Sequence, residues 1–153
     1  MLDLPGYVYR ETVFQGTRPT ALRCVRERDG RSVVVKIPRA DHPSLDVNAA
    51  LKHEFEIARR LQDERILAAL ALEPIRNGYA LVTEDFGGLS LSQWLPDNPL
   101  SIEAFLNLAI HLTDIVSFVH GAGVIHKDIK VSNFIVSPDT TRVKLISSAA
   151  LLS

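Results

Sequence analysis

The chain has 153 residues, of which 46% are hydrophobic and 23% charged; 17 basic and 18 acidic side chains give a formal charge of -1. These proportions are those of a soluble globular domain and exclude a disordered chain. Neither sign is in excess, so nucleic acid and anionic membrane surfaces are not expected as partners.

The single cysteine, Cys24, has no internal partner, which fits a reducing, cytoplasmic location. Met1 to Gly6 has no basic stretch leading into an apolar run, so no secretory leader is expected. The longest uninterrupted apolar run, Ile66 to Leu72, is too short to cross a bilayer, and no membrane insertion is expected.

In chain order, Tyr7 to Phe14 and Thr20 to Glu27 read as strands flanking a turn with Gly16 and Pro19. Asp29-Gly30 is a hairpin signal, and the β-branched run Ser32 to Ile37 is a third strand that Pro38 ends. From Asp46 to Asp63 the period becomes helical, with Val47, Leu51, Phe55, Ala58 and Leu61 on one stripe. Glu54 falls on that stripe, where a carboxylate is costly unless it meets a cation. Strands at Leu67 to Leu72 and Tyr79 to Glu84 follow, separated by Asn77-Gly78; Gly87-Gly88 then leads to a short helix from Ser90 to Leu95. Ser101 is the predicted N-cap of a helix from Ile102 to Gly121. Two apolar stripes on that helix, one from Ile102 to Val119 and one through Leu108, Ile115 and Phe118, call for neighbours on both sides. Phe134 to Val136 and Arg142 to Ile146 read as a closing hairpin. The order predicts two lobes joined near residue 85.

Three segments carry chemistry. His126-Lys127-Asp128-Ile129-Lys130-Val131-Ser132-Asn133 lies between the long helix and the hairpin and resembles the protein-kinase catalytic loop. Val33-Val34-Val35-Lys36 resembles the strand lysine of that superfamily, and Leu81 to Gly88 resembles its adenine-binding hinge. Taken separately, each has a plainer explanation: a capped polar loop, a strand-edge charge, a strand entering a glycine turn. In this order and spacing they make residues 7 to 146 resemble the protein-kinase superfamily. The wording of Glu84 to Gly88 and of His126 to Asp128 is similar to the serine/threonine-kinase-like domains at the N-termini of large bacterial multidomain sensor kinases.

The resemblance implies an α+β fold, with an antiparallel N-lobe sheet and one helix over residues 1–84, a hinge at 85–89 and a partial helical C-lobe at 90–153. It implies ATP as the nucleotide, a protein substrate or further domains of a larger sensor kinase as partners, and transfer of the γ-phosphoryl group to a serine or threonine. Asp128 would be the catalytic base, Lys130 would sit near the transferred phosphate, and Asn133 would hold magnesium. Lys36, paired with Glu54, would meet the phosphates. Thr83 would be the gatekeeper, Glu84 and Phe86 would face adenine, and Gly16 and Leu22 would complete the nucleotide set. Lys127 stands where many kinases have arginine.

Three departures accompany the match. Gln15 to Leu22 holds one glycine, Gly16, where the phosphate-covering loop has three. Ser147-Ser148-Ala149 follows the last strand where the family has aspartate-phenylalanine-glycine, and a serine hydroxyl is a poor magnesium ligand. The third is the early end at Ser153, which predicts a domain truncated in its C-lobe. Weak or absent turnover is therefore expected. Two other readings stay open: a non-catalytic pseudokinase or interaction module, and a remnant of a disrupted reading frame.

Overall fold

The computed structural model describes residues 4–15, 20–38, 45–76, 78–126 and 128–146. The chain divides into two compact units, one of residues 1–56 and 68–85, the other of residues 57–67 and 86–153. The division is not a single cut, because the stretch that ends the first long helix belongs to the second unit.

In the first unit β1 (Tyr7–Gln15), β2 (Thr20–Arg26), β3 (Arg31–Ile37), β4 (Ala69–Ile75) and β5 (Gly78–Glu84) form an antiparallel sheet in the order β1-β2-β3-β5-β4. The β2–β3 hairpin closes as Arg26 pairs with Arg31. The Arg26 side chain binds Asp29 through two nitrogens, at 3.0 and 2.6 Å, and holds the Asp29 carboxyl at a pKa of about 2. One face of the sheet buries Leu22, Cys24, Val33, Val35, Ala80 and Val82 together with Leu4, a core residue that no periodicity announced. Helix α1 (Leu45–Arg60) is fastened to β5 where the Asn48 side chain accepts from the Tyr79 amide at 3.2 Å. It ends three residues before the sequence predicted. Asp63 there accepts from the backbone and side chain of Arg65, at 2.9 and 2.7 Å, which stabilises a turn in place of a further helical one.

The second unit contains β6 (Leu89–Ser90), α2 (Leu91–Trp94), α3 (Ile102–Gly121), β7 (Phe134–Val136) and β8 (Val143–Leu145), with a small sheet in the order β6-β7-β8. Its core gathers Ile57, Leu61 and Ile66 with Leu91, Ile115, Val119, Val124, Phe134, Val136 and Leu145. Ile66 bridges Leu145, and the Leu67 amide donates to the Leu145 carbonyl at 2.9 Å. That pairing is why β4 starts at Ala69 and not at the predicted Leu67. The α+β architecture is that of a protein-kinase fold: a five-stranded antiparallel sheet with one long helix, followed by a helical part carrying a small sheet.

Helix α3 begins as predicted, with the Ser101 hydroxyl accepting from the Ala104 amide at 3.1 Å. Burial does not follow the two stripes: Ile115 of the second and Val119 of the first are buried, whereas Ile102, Phe105 and Leu106 of the first are exposed, as is Ile110. By length and composition alone α3 is apolar enough to cross a bilayer, a test that core helices of soluble proteins also pass. It contains no long uninterrupted apolar run, because Glu103, Asn107, His111, Thr113, Asp114 and Ser117 break the pattern. Ile115→Ala should lower the unfolding free energy by about 3 kcal/mol. Phe105→Ala should stay within about 0.5 kcal/mol of wild type in the same urea titration. Equal losses would mean that α3 buries a different face.

Candidate functional site

Strand alternation decides which side chains share a face in the first unit. Lys36 on β3 pairs with Ala21 on one side and Leu81 on the other; Val34 pairs with Arg23 and Thr83. Directly paired residues lie on the same face, so Ala21, Arg23, Val34, Lys36, Leu81 and Thr83 form one surface. The Lys36 ammonium forms an ion pair with the Glu54 carboxylate of α1, and the two side chains are only 14% and 13% exposed. Glu54, the polar intruder on the α1 stripe, therefore meets a cation. The neighbouring Glu56 is exposed.

Leu22, expected in the nucleotide set, pairs with Val35 and lies in the core on the face opposite Lys36. Ala21 lies on the Lys36 side. A shift of one residue reverses every side chain of a strand. The Asp29-Gly30 hairpin, which pairs Arg26 with Arg31, sets this parity. Gly16 itself lies outside the described residues.

Thr83 is buried on the Lys36 face, and its hydroxyl donates to the Val34 carbonyl at 3.3 Å. Glu84 is held from the β4 side: its amide donates to the Ala68 carbonyl and its carboxylate accepts from the Ala68 amide, both at 2.9 Å. Asp85 follows, and it accepts from Arg23 Nε at 2.8 Å and from the Ser32 hydroxyl at 2.6 Å. Neither Arg23 nor Asp85 was picked out from the sequence. Arg23 was hidden because its place on the Lys36 face depends on the register just described.

The second unit carries the other group. Phe86 lies there, its ring flanked by Arg142 and Lys144 with centroid distances of 5.2 and 5.0 Å. Asp128 receives Lys130 Nζ at 2.6 Å, and the Asn133 amide nitrogen donates to its backbone carbonyl at 2.7 Å and its carboxylate at 3.2 Å. These contacts, the Lys130 hydrogen bond foremost and the Asn133 one after it, hold the Asp128 carboxyl below the ordinary carboxylate range. Asp128 is thus ionised at neutral pH. The loop is braced against the end of β8: Ile146 donates its amide to the Asn133 carbonyl at 2.8 Å, and its carbonyl lies 2.9 Å from His126 Nε2. A carbonyl only accepts, so Nε2 is the protonated nitrogen, and Nδ1 is buried with no hydrogen-bond partner among the described residues. Lys127 and Ser147-Ser148-Ala149 lie outside the described residues.

A family model described as protein kinase domain matches residues 7–147. The chain belongs to the protein kinase domain family. Serine/threonine/tyrosine-protein kinase HT1 of Arabidopsis thaliana is 30% identical over 122 residues, covering 75% of this chain and 31% of that protein. Cyclin-dependent kinase D-1 of the same plant is 22% identical over 137 residues, covering 87% of this chain and 34% of that protein. The serine/threonine-protein kinase PkwA of Thermomonospora curvata is 28% identical over 120 residues, covering 77% of this chain and 16% of that protein. The chain therefore spans about a third or less of the length of these relatives. They come from plants and a bacterium alike, and so do not single out the bacterial sensor kinases.

Protein kinases as a family use ATP and magnesium. Among the described residues no cluster of three His, Cys, Asp or Glu side chains could hold a metal. The Asn133 amide nitrogen is committed to Asp128, which leaves its oxygen as the remaining ligand atom. One neutral oxygen beside an aspartate already bound to Lys130 is a poor magnesium donor set. The described residues of this kinase domain do not build the metal site by themselves.

Proposed function

We propose that the chain is an ATP-binding, serine/threonine kinase-like domain whose family activity, phosphoryl transfer to a protein hydroxyl, runs slowly here. The observation that carries the reading is the largely buried Lys36–Glu54 ion pair on the face that also presents Thr83. A buried cation held by one carboxylate keeps its other donors for an anionic ligand, and the polyphosphate of ATP is such a ligand. The adenine would meet the backbone of residues 84 to 86. Asp128 would accept a hydrogen bond from the substrate hydroxyl and take its proton as the new P–O bond forms and the bond from the γ-phosphorus to the bridging oxygen breaks, releasing ADP. Its lowered pKa suits it to orienting that hydroxyl more than to early deprotonation. Lys130, already on Asp128, would add positive charge beside the transferred group.

The pseudokinase reading rests on one specific observation: residues 140–153 contain no acidic side chain, so no carboxylate stands just after β8. Two measurements separate the readings. ATP should raise the melting temperature of the chain, and Lys36→Ala should remove that rise. Transfer of labelled phosphate to a serine/threonine peptide mixture should be detectable and should fall by about a hundredfold or more in Asp128→Ala. Binding without any transfer would establish the pseudokinase; no binding despite a cooperative melt would end the nucleotide reading.

A further inference from the structure

The ladder between β3 and β5 stops where Val33 pairs with Glu84. Asp85 is thus the first residue past it. Side chains hold the chain at this point. Asp85, with a side chain only 9% exposed, accepts from Arg23 of β2 at 2.8 Å and from Ser32 of β3 at 2.6 Å. Arg23 in turn forms an ion pair with Glu11 of β1. Three strands therefore converge on one carboxylate through a single guanidinium and a hydroxyl. Glu84, one residue earlier, is pinned from the opposite side by its two hydrogen bonds to Ala68.

From this geometry we infer that Arg23 is a positioning residue for nucleotide recognition: through Asp85, with Ser32 and Glu11 as supports, it fixes the backbone that receives adenine. The inference rests on the nucleotide reading above and adds residues to it. Arg23 suits the task because its planar fork binds two carboxylates at once, which a lysine does not reproduce. It lies on the same face as Lys36, yet its partners among the described residues are the carboxylates of Glu11 and Asp85. Its influence on a ligand is therefore exerted through Asp85 and not by contact.

Calorimetric titration of the whole chain with adenosine and with ATP tests this. Arg23→Met and Asp85→Asn should each weaken both ligands by the same factor, about tenfold. The double variant should be no weaker than either single one, because the residues act as a unit. Arg23→Lys should recover only part of the loss. Ser32→Ala, which removes a single hydroxyl, should weaken adenosine about threefold and serves as the decisive variant if Arg23→Met does not melt cooperatively. Additive losses in the double variant would mean that Arg23 touches the ligand itself, and an unchanged affinity in Arg23→Met or Ser32→Ala would remove the positioning role. Either result leaves ATP binding by the wild-type chain intact. If the wild-type chain binds neither adenosine nor ATP, the positioning role and the nucleotide reading fall together.

Discussion

With Glu54 replaced by alanine, the chain is expected to lose about 3 kcal/mol of unfolding free energy. The cause is not mainly the lost attraction. Lys36 would remain only slightly exposed with its ammonium uncompensated, and removing one partner of a buried pair leaves the other with its full desolvation penalty. Replacing both groups by apolar residues of similar size removes that penalty as well. The double variant Lys36→Met with Glu54→Leu should accordingly return to within about 1 kcal/mol of wild type in a urea titration. The same double variant should show no rise in melting temperature with ATP. Stability and ligand response would then separate: the fold tolerates an apolar pair, whereas the phosphate site does not. A double variant as unstable as Glu54→Ala would show that the uncompensated charge is not the source of the loss. A double variant that still responds to ATP would remove Lys36 from the phosphate site.

How much of this could be read in the sequence depended on whether the governing contact was local. The Asp29-Gly30 turn, the β-branched run to Ile37 and the Ser101 cap are short-range devices, and β2, β3 and α3 form close to their predicted limits. Glu54 was legible for a different reason: a charge on an apolar stripe is an anomaly that only a distant cation resolves, and Lys36 resolves it. What stayed hidden was long-range. Leu67 reads as the start of a strand that runs to Leu72, but Leu67 and its neighbour Ile66 meet Leu145. The two-residue β6 has no pattern of its own and exists because Leu89 meets Val136. The face that Leu22 takes is set by the β2–β3 hairpin and not by the glycine loop before it. Arg23 and Asp85 are 62 positions apart and look like ordinary surface charges until the register is known.

Gly88→Ala is the second substitution with a large expected effect, and it tests a contact made of backbone alone. A Cβ at this position would lie 1.8 Å from the Val136 carbonyl oxygen and 2.7 Å from its carbon. No rotamer relieves such a clash, so the chain around Gly88 and β7 must separate. That movement would break the pairing of Leu89 with Val136 and disturb a core that contains Leu91, Phe134 and Val136. A loss of more than about 3 kcal/mol is expected, at or beyond the upper end for overpacked interiors. Gly121→Ala supplies the control, since a Cβ there meets nothing within 4 Å and alanine is the better helix former. That variant should match wild type or exceed it slightly. Because Asn133 directly precedes β7, a displaced strand also moves the residue that holds Asp128. Gly88→Ala should therefore reduce any phosphate transfer even under conditions where the protein remains folded. If it melts like wild type and transfers at the same rate, then Gly88 does not lie against Val136, and the approach of these two backbones is not what fixes the catalytic loop.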